Sequence, residues 1–341
     1  MRWPRKGALA KPEVMDRAWR RSLRAAIAGD WAAAETWLER IVEADSKDLD
    51  AVHALAQLYR EHGAVGRALR MHQNLLLRSE LDRNVRAEAL LELARDFEAG
   101  GYKSRAAATY EELLGLRRPN AELLERLISL LHDLNEIPRA LALVRRLRRR
   151  DRALAGRLEV AILLSQAQSF RDEGDHDAAR RSIKRCLRRD KHCGPAWSIL
   201  GELEAERGKT AKALGAWKRG AASDASLAPA LYPKLAASYA ARGKPEDFDT
   251  YLRTIIADRP FDQAARSALA SAQASRGQSI EAVETLARAI ELAPQDSALR
   301  VELGRQLLAG GKDAEALKAY ADLLEFLERS AAPRGASEVE S

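Results

Sequence analysis

A ladder of small residues recurs at a nearly constant interval along almost the whole chain. Most copies have a Gly, a small residue five positions later, and a bulky residue four positions after that. The small positions are Ala34, Ala68, Ala106, Ala140, Ala179, Ala213, Phe248, Ala282 and Ala316, with spacings of 34, 38, 34, 39, 34, 35, 34 and 34 residues. A period of this size is typical of stacked supersecondary units, each of which buries its apolar face only against its neighbours.

A second amphipathic segment precedes each Gly, for example "AWSILGELEAERG" at residues 196–208. The two segments of a copy therefore predict a helix–turn–helix unit with the Gly in the turn. A chain rich in Ala, Leu, Arg and Glu also favours helix over strand. Small residues at one position of the first helix let neighbouring helices approach closely: Ala56, Ala94, Gly201, Ala236, Ala270 and Gly304.

This pattern resembles the tetratricopeptide (TPR) repeat. The resemblance implies an all-α fold, a right-handed superhelical solenoid of about nine helix–turn–helix repeats, with a concave face built mostly by the first (A) helix of each repeat. We expect the solenoid to span residues 15–328, after a basic segment at 1–14 and before a disordered tail at 329–341. The two long spacings mark insertions near 76–84 and 148–156, which we expect to lengthen a second (B) helix or the loop after it.

Motifs that carry chemistry are missing from the sequence. It contains no phosphate-binding GxxxxGK[ST] loop, no HExxH and no GxSxG. Its six histidines are scattered among several repeats, with no two at a convincing metal spacing with a carboxylate. The gap of six residues between Cys186 and Cys193 matches no zinc or redox motif. We therefore expect no enzymatic activity, no catalytic residue, no cofactor and no metal site, and we interpret both cysteines as structural.

Composition sets the expected compartment. Apolar residues make up 46% of the chain, but no apolar run approaches the roughly 20 residues that a membrane span needs. The apolar part of the segment "MRWPRKGALAKPE" is too short for the apolar region of a signal peptide. We expect a cytoplasmic protein, with at most peripheral contact at the cytoplasmic face of the inner membrane.

Positions of the A helices that face the groove in TPR proteins give the candidate partner-binding surface. In the earlier repeats these positions are polar or charged, and in repeats seven and eight they are small. The candidate residues are His53, Gln57, Arg60, Arg95, Glu98, Glu125, His132, Gln168, Arg171, Ala237 and Ser271. We expect one or more proteins to bind there, as a peptide or a folded surface; a solvated wall without any hot spot is the alternative.

Two basic stretches offer another function, "RRLRRRDRALAGR" (145–157) and "ARRSIKRCLRRDKH" (179–192). Charge runs usually mark solvated helix faces, which is the interpretation we favour; the alternative is a surface for membrane headgroups or nucleic acid. Because no aromatic residues are interleaved for base stacking, the pattern argues against nucleic acid. A third alternative is a regulatory subunit of an enzyme complex.

A closer resemblance lies in "RALRMHQNLL" (67–76) and the block "LARDFEAGGYKSRA" (93–106). Both are similar to elements of the bacterial lipopolysaccharide assembly protein B family. The resemblance implies a non-enzymatic adaptor whose partners are a membrane-bound protease and an enzyme of lipid A synthesis. That family also has a transmembrane helix and a rubredoxin-like domain with two CxxC pairs. Neither occurs in this sequence, so we expect neither membrane anchoring nor zinc binding from it.

His72 occupies the bulky position of its repeat, where other repeats have Leu38, Tyr110, Val144 or Trp217. We therefore interpret it as a packing residue with one ring nitrogen bonded to a neighbour, and expect leucine to replace it with little loss of stability.

Overall fold

The computed structural model describes residues 12–331, which form eighteen α-helices and one 3₁₀ turn, with no strand in that range. The all-α prediction is confirmed. Two compact units divide the chain after Ile162. Unit 1 contains α1 (Pro12–Ile27), α2 (Trp31–Ala44), α3 (Leu49–Glu61), α4 (Val65–Leu76), α5 (Arg83–Ala99), α6 (Lys103–Leu116), α7 (Ala121–Asp133), α8 (Ile137–Leu147) and the first part of α9 (Arg152–Asp172).

Unit 2 contains the rest of α9 and the remaining helices. These are α10 (His176–Arg189), α11 (Gly194–Glu206), α12 (Thr210–Ser223), α13 (Ala228–Ala241), α14 (Pro245–Asp258), α15 (Gln263–Ser275), α16 (Ser279–Leu292), α17 (Ser297–Ala309) and α18 (Asp313–Ala331), with the 3₁₀ turn at Ala225–Leu227. The predicted basic segment at 1–14 and tail at 329–341 lie outside the described residues, except 12–14 in α1 and 329–331 in α18.

Each odd-numbered helix and the next even-numbered one form the predicted A–B pair, with the turn between them in the left-handed region of φ. Eight of these turns use glycine, with φ between 67° and 81°: Gly29, Gly63, Gly101, Gly174, Gly208, Gly243, Gly277 and Gly311. The fourth turn uses Asn135 at φ 59°. Asparagine tolerates this conformation better than other residues with a Cβ, so the turn survives without glycine.

The ladder lies inside the helix pairs, as the sequence predicts. Its eight alanines are at most 1% exposed, and Phe248 is 2% exposed. Aspartates or asparagines start many of the helices; the carboxylate of Asp48, for example, accepts a hydrogen bond from the backbone N–H of Ala51 at 3.0 Å. Such caps satisfy amide groups that the first turn of a helix leaves without partners.

The two insertions lengthen A helices, and the prediction that they lengthen a B helix or its exit loop is wrong in the main. The helix α5 has 17 residues and α9 has 21, whereas α3, α7 and α11 have 13 each. The loop after α4 grows only to residues 77–82, and α4 and α8 are short B helices of 12 and 11 residues. Asp82 caps α5 early, with its side chain accepting from Asn84 and Val85, so the extra residues enter the A helix.

Close approach between the helices of one pair depends on the small residues. In α11, a Cβ added at Gly201 would lie 2.3 Å from Cδ1 of Trp217 in α12. A Cβ added at Gly304 would likewise lie 2.5 Å from Cζ of Tyr320. The aromatic ring therefore occupies the space that a side chain on the A helix would need, which fixes the distance between the two helices.

Substitution of Gly201 by Ala tests this packing. We expect Gly201→Ala to lower the free energy of unfolding by about 1–3 kcal/mol, because the Trp217 ring must move. The matched control is Gly215→Ala in α12, where an added Cβ meets nothing within 4 Å. It should be neutral or stabilising by up to about 1 kcal/mol through helix propensity. Urea unfolding followed by circular dichroism measures both, and equal effects would contradict the packing role.

Candidate functional site

A network of ion pairs links the A helices of unit 1. The guanidinium of Arg60 in α3 donates to Glu92 at 3.0 Å and to Asp96 at 2.8 Å, both in α5. Arg95 in turn donates to Glu92 at 2.6 Å. Arg60 is only 14% exposed, so this pairing lies partly out of solvent, where ion pairs are screened less.

The same network continues from α5 to α7. Arg95 lies 3.5 Å from Glu122, and Arg126 lies 3.4 Å from Glu98 and from Glu122. Glu98 also accepts a hydrogen bond from the Tyr110 hydroxyl. Three of the candidate partner-binding residues (Arg60, Arg95 and Glu98) are therefore engaged with neighbouring repeats.

In unit 2, Glu202 of α11 accepts from two cations on adjacent A helices, Arg171 of α9 and Lys234 of α13. All three side chains are 26–40% exposed, a range in which single ion pairs contribute little to stability. The candidate residue Arg171 thus has a partner within its own unit.

The other candidate residues are distributed as follows. Gln57 and Gln168 each donate to a carboxylate one turn later, Glu61 and Asp172 respectively. Glu125 and His132 are half-buried on α7. The two small candidates, Ala237 and Ser271, are exposed on α13 and α15.

A cavity of about 440 Å³ lies between α13 and α15. Its lining contains no charged residue and consists of Pro229, Tyr232, Pro233, Ala236, Phe248, Ala264, Ser267, Ala268, Ser271, Ala272 and Ser275. The stretch that the sequence identifies as small and smooth therefore forms a pocket that includes Ser271, while Ala237 lies outside its lining. Phe248, the ladder position without alanine, is one of the two aromatic rings in the pocket, 6.5 Å from Tyr232 between centroids.

His72 belongs to a chain of buried polar groups that the sequence did not reveal. Its Nδ1 pairs with a carboxylate oxygen of Asp96 in α5, and both residues are 0% exposed. Its Nε2 lies 3.0 Å from Nδ1 of His53 in α3. Because a carboxylate accepts only, Nδ1 of His72 donates to Asp96, and one proton is shared between Nε2 of His72 and Nδ1 of His53.

His53 connects this chain to the surface. It lines a cavity of about 340 Å³ together with Asp50, Gln57, Glu88 and Glu92. Burial is the largest cause lowering the pKa of His53 below its usual 6.5, followed by repulsion from His72, while nearby carboxylates act in the opposite direction. Neutral His53 is therefore the form that the fold favours.

Packing alone thus does not describe His72. The side chain is packed between helices, as the sequence predicts, but both ring nitrogens also lie within hydrogen-bonding distance of another side chain, Asp96 and His53. Sequence reasoning missed Asp96 and Glu92 because their partners lie on other helices, and periodicity within α5 does not reveal contacts between helices. The available signal was the resemblance of "RALRMHQ" and "LARDF" to one family, since these two segments supply His72 and Asp96.

No group of three or more His, Cys, Asp or Glu side chains within residues 12–331 is arranged to hold a metal ion. Cys186 and Cys193 are both buried, in agreement with a structural role. In the same range, no helix has the length and apolarity needed to cross a membrane.

Replacing His72 by leucine tests the buried hydrogen-bond network of His53, His72 and Asp96. The sequence predicts that leucine is tolerated at this position, whereas the structure predicts a loss of stability. We expect His72→Leu to lower the free energy of unfolding by about 3 kcal/mol, because the Asp96 carboxylate loses a buried partner. His132→Leu is the control, since this half-buried ring makes no hydrogen bond in residues 12–331; it should change stability by less than about 0.5 kcal/mol.

A double-mutant cycle assigns the loss to the pair. Asp96→Asn combined with His72→Leu should cost less than the sum of the two single changes by at least about 1 kcal/mol. Additive losses in denaturant unfolding would contradict coupling between His72 and Asp96.

The lowered pKa of His53 predicts a dependence of stability on pH. The unfolded chain takes up a proton near pH 6.5, whereas folded His53 stays neutral to a lower pH. The contribution of neutral His53 to the free energy of unfolding is therefore fully present above about pH 6.5 and decreases as the pH falls below that value. Thermal unfolding should show His53→Gln losing less stability than the unsubstituted chain between pH 7.5 and 5.5; identical losses would exclude His53 as the cause.

Comparison with known proteins agrees with this architecture. A tetratricopeptide repeat family model matches residues 164–229. Lipopolysaccharide assembly protein B of Escherichia coli, in strains K12, O6:H1 and O157:H7, is 25% identical over 227 residues, which is 66% of this chain. The matched region spans 58% of the length of these curated relatives.

Two of the solved structures that are similar to the chain are described as tetratricopeptide repeat proteins. YrrB, described as a TPR protein with an unusual peptide-binding site, is 19% identical with a TM-score of 0.39, covering 55% of this chain and 92% of YrrB. A tetratricopeptide repeat protein from Parabacteroides merdae is 12% identical with a TM-score of 0.40, covering 86% of this chain and 98% of that one. The chain is an all-α protein of paired helices that matches a tetratricopeptide repeat model over residues 164–229 and is similar to lipopolysaccharide assembly protein B over 66% of its length.

Proposed function

We propose that this chain is a non-enzymatic scaffold that binds protein partners on its A helices, and that an apolar segment of a partner inserts into the α13–α15 cavity. The observation that carries the proposal is the uncharged cavity of about 440 Å³, whose lining includes the exposed Ser271. TPR folds are suited to such scaffolding because neighbouring repeats present a continuous surface of A helices.

The character of the lining favours an apolar segment. Alanine and serine on α15 let a partner backbone approach closely, and the rings of Tyr232 and Phe248 offer aromatic contact area. Since the lining has no charge, an entering apolar side chain strips no ion of its water. Small pockets with these properties hold the anchor residues that dominate many protein interfaces.

The charged A-helix surface of unit 1 is a less favourable first contact. Arg60, Arg95 and Glu98 are already paired with neighbouring repeats. A partner that used these charges would have to break existing ion pairs, whereas the α13–α15 cavity needs no such exchange. We therefore assign the charges of unit 1 to holding adjacent repeats in register.

The resemblance to lipopolysaccharide assembly protein B supports a partner from lipid A biosynthesis. We propose the lipid A deacetylase, or a membrane-bound protease that degrades it, as the client. In this function the chain acts in the cytoplasm, at the inner face of the membrane, by bringing two other proteins together.

Filling the cavity tests the proposal. Ser271→Trp places an indole in the pocket, and we expect it to weaken the binding of the purified deacetylase or of the protease's cytoplasmic domain at least tenfold by calorimetry. The matched control is Thr254→Trp on α14, an exposed position outside the lining. It should leave affinity unchanged.

Two results would count against the proposal, each in a different way. Equal affinity of both tryptophan variants would show that partners bind elsewhere on the chain. Absence of binding by the unsubstituted protein at 100-fold excess of either candidate would remove the lipid A assignment.

A further inference from the structure

A second and larger cavity, of about 810 Å³, lies mainly on B helices of unit 2, whereas the α13–α15 cavity lies mainly on A helices. It is bordered by two B helices, α10 and α12, and by the start of the A helix α11 between them. Its lining is Lys184, Leu187, Arg188, Lys191, His192, Trp197, Leu200, Arg219, Ala222 and Ser223. The proposed protein-binding cavity of α13–α15 shares none of these residues.

Four cations of this cavity have no carboxylate partner. Lys184, Arg188, Lys191 and Arg219 are exposed, and within residues 12–331 none of them forms an ion pair. The lining itself contains no Asp or Glu. By contrast, Arg180 on another face of α10 pairs with Glu204 at 2.6 Å. The cavity therefore carries a local excess of positive charge available to an anion.

The floor of the cavity is apolar and fixed. The Trp197 indole donates to the backbone carbonyl of Lys191 at 2.8 Å, which holds the ring in place. Arg219 lies over the same ring, with its Cζ 4.8 Å from the centroid. Leu187 and Leu200 extend the apolar surface beside it. The structure thus brings an aromatic ring to the basic stretch 179–192, where the sequence shows none.

We infer that this cavity binds a single-chain anionic amphiphile, with its phosphate monoester on the cations and its acyl or alkyl chain along Leu187, Trp197 and Leu200. Charge complementarity accounts for the head, since Lys and Arg are the side chains that bind phosphate. The apolar floor accounts for the tail, because each buried methylene adds to affinity. The volume lies within the range of small-molecule sites in proteins.

Nucleic acid fits this surface less well. Binding to single strands uses several aromatic platforms in succession along a basic groove. Trp197 is the only Trp, Tyr or Phe among the lining residues, and Arg219 already covers one side of its ring. A polar strand would also leave the apolar contacts of Leu187 and Leu200 unused.

Titration with alkyl phosphates below their micellar concentration tests the inference. We expect dodecyl phosphate to bind at least tenfold more tightly than octyl phosphate, and inorganic phosphate to bind at least a hundredfold more weakly than dodecyl phosphate. Lys191→Glu/Arg219→Glu should weaken dodecyl phosphate binding at least tenfold, and Leu200→Gln should reduce the dependence on chain length.

The matched control carries the same change in charge elsewhere. Arg145 and Arg146 are exposed on the B helix α8, so Arg145→Glu/Arg146→Glu should leave binding unchanged. Circular dichroism checks that every variant is folded. Equal losses in the two double variants would reveal a general effect of net charge and overturn the site.

Two further outcomes would also overturn it. Affinity that does not depend on chain length would leave only phosphate binding. A single-stranded oligonucleotide that binds more tightly than dodecyl phosphate, and is lost in Lys191→Glu/Arg219→Glu, would assign the cavity to nucleic acid.

Discussion

The distance between the two helices of a repeat is the constraint on which the rest of this structure depends. Buried alanines on the B helix and small residues on the A helix bring the two backbones together, and a bulky B-helix side chain then fills the remaining space. At Gly201 the Trp217 ring occupies the place of a side chain, 2.3 Å from where a Cβ would be. Dense packing of this kind leaves one helix spacing, and that spacing orients every outward-facing residue.

Polar contacts add a second layer that joins one repeat to the next. Arg60 bridges α3 to α5, and Glu202 of α11 accepts cations from α9 and α13. These bonds lie on the A-helix surface, where a partner would otherwise find free charges. The two surfaces that we propose for binding are therefore ones without such ion pairs among the described residues: the uncharged cavity of α13–α15 for apolar side chains, and the cations of the α10–α12 cavity for an anion.

Periodicity was sufficient to predict the helices, the turns and the buried ladder, because a repeated interval records the packing of each unit directly. It could not place the insertions, because the extra residues could extend either the B helix before them or the A helix after them. The N-cap at Asp82 starts α5 early and so assigns them to the A helix. Nor could periodicity pair His72 with Asp96, because the two lie on different helices and only packing brings them together. Arg95 and Arg171 were correctly placed on A helices, but sequence spacing within one helix does not reveal ion pairs to the next.

The buried His72–Asp96 pair also restricts how an array like this one can evolve. Its two halves lie in successive repeats, on α4 and α5, so the repeat with the histidine must be followed by the repeat with the aspartate. Duplication, deletion or exchange of either repeat would separate them and leave a buried group without its partner, at a cost of several kcal/mol. Repeats that are alike in backbone are therefore not interchangeable, and at this junction their order is fixed by chemistry.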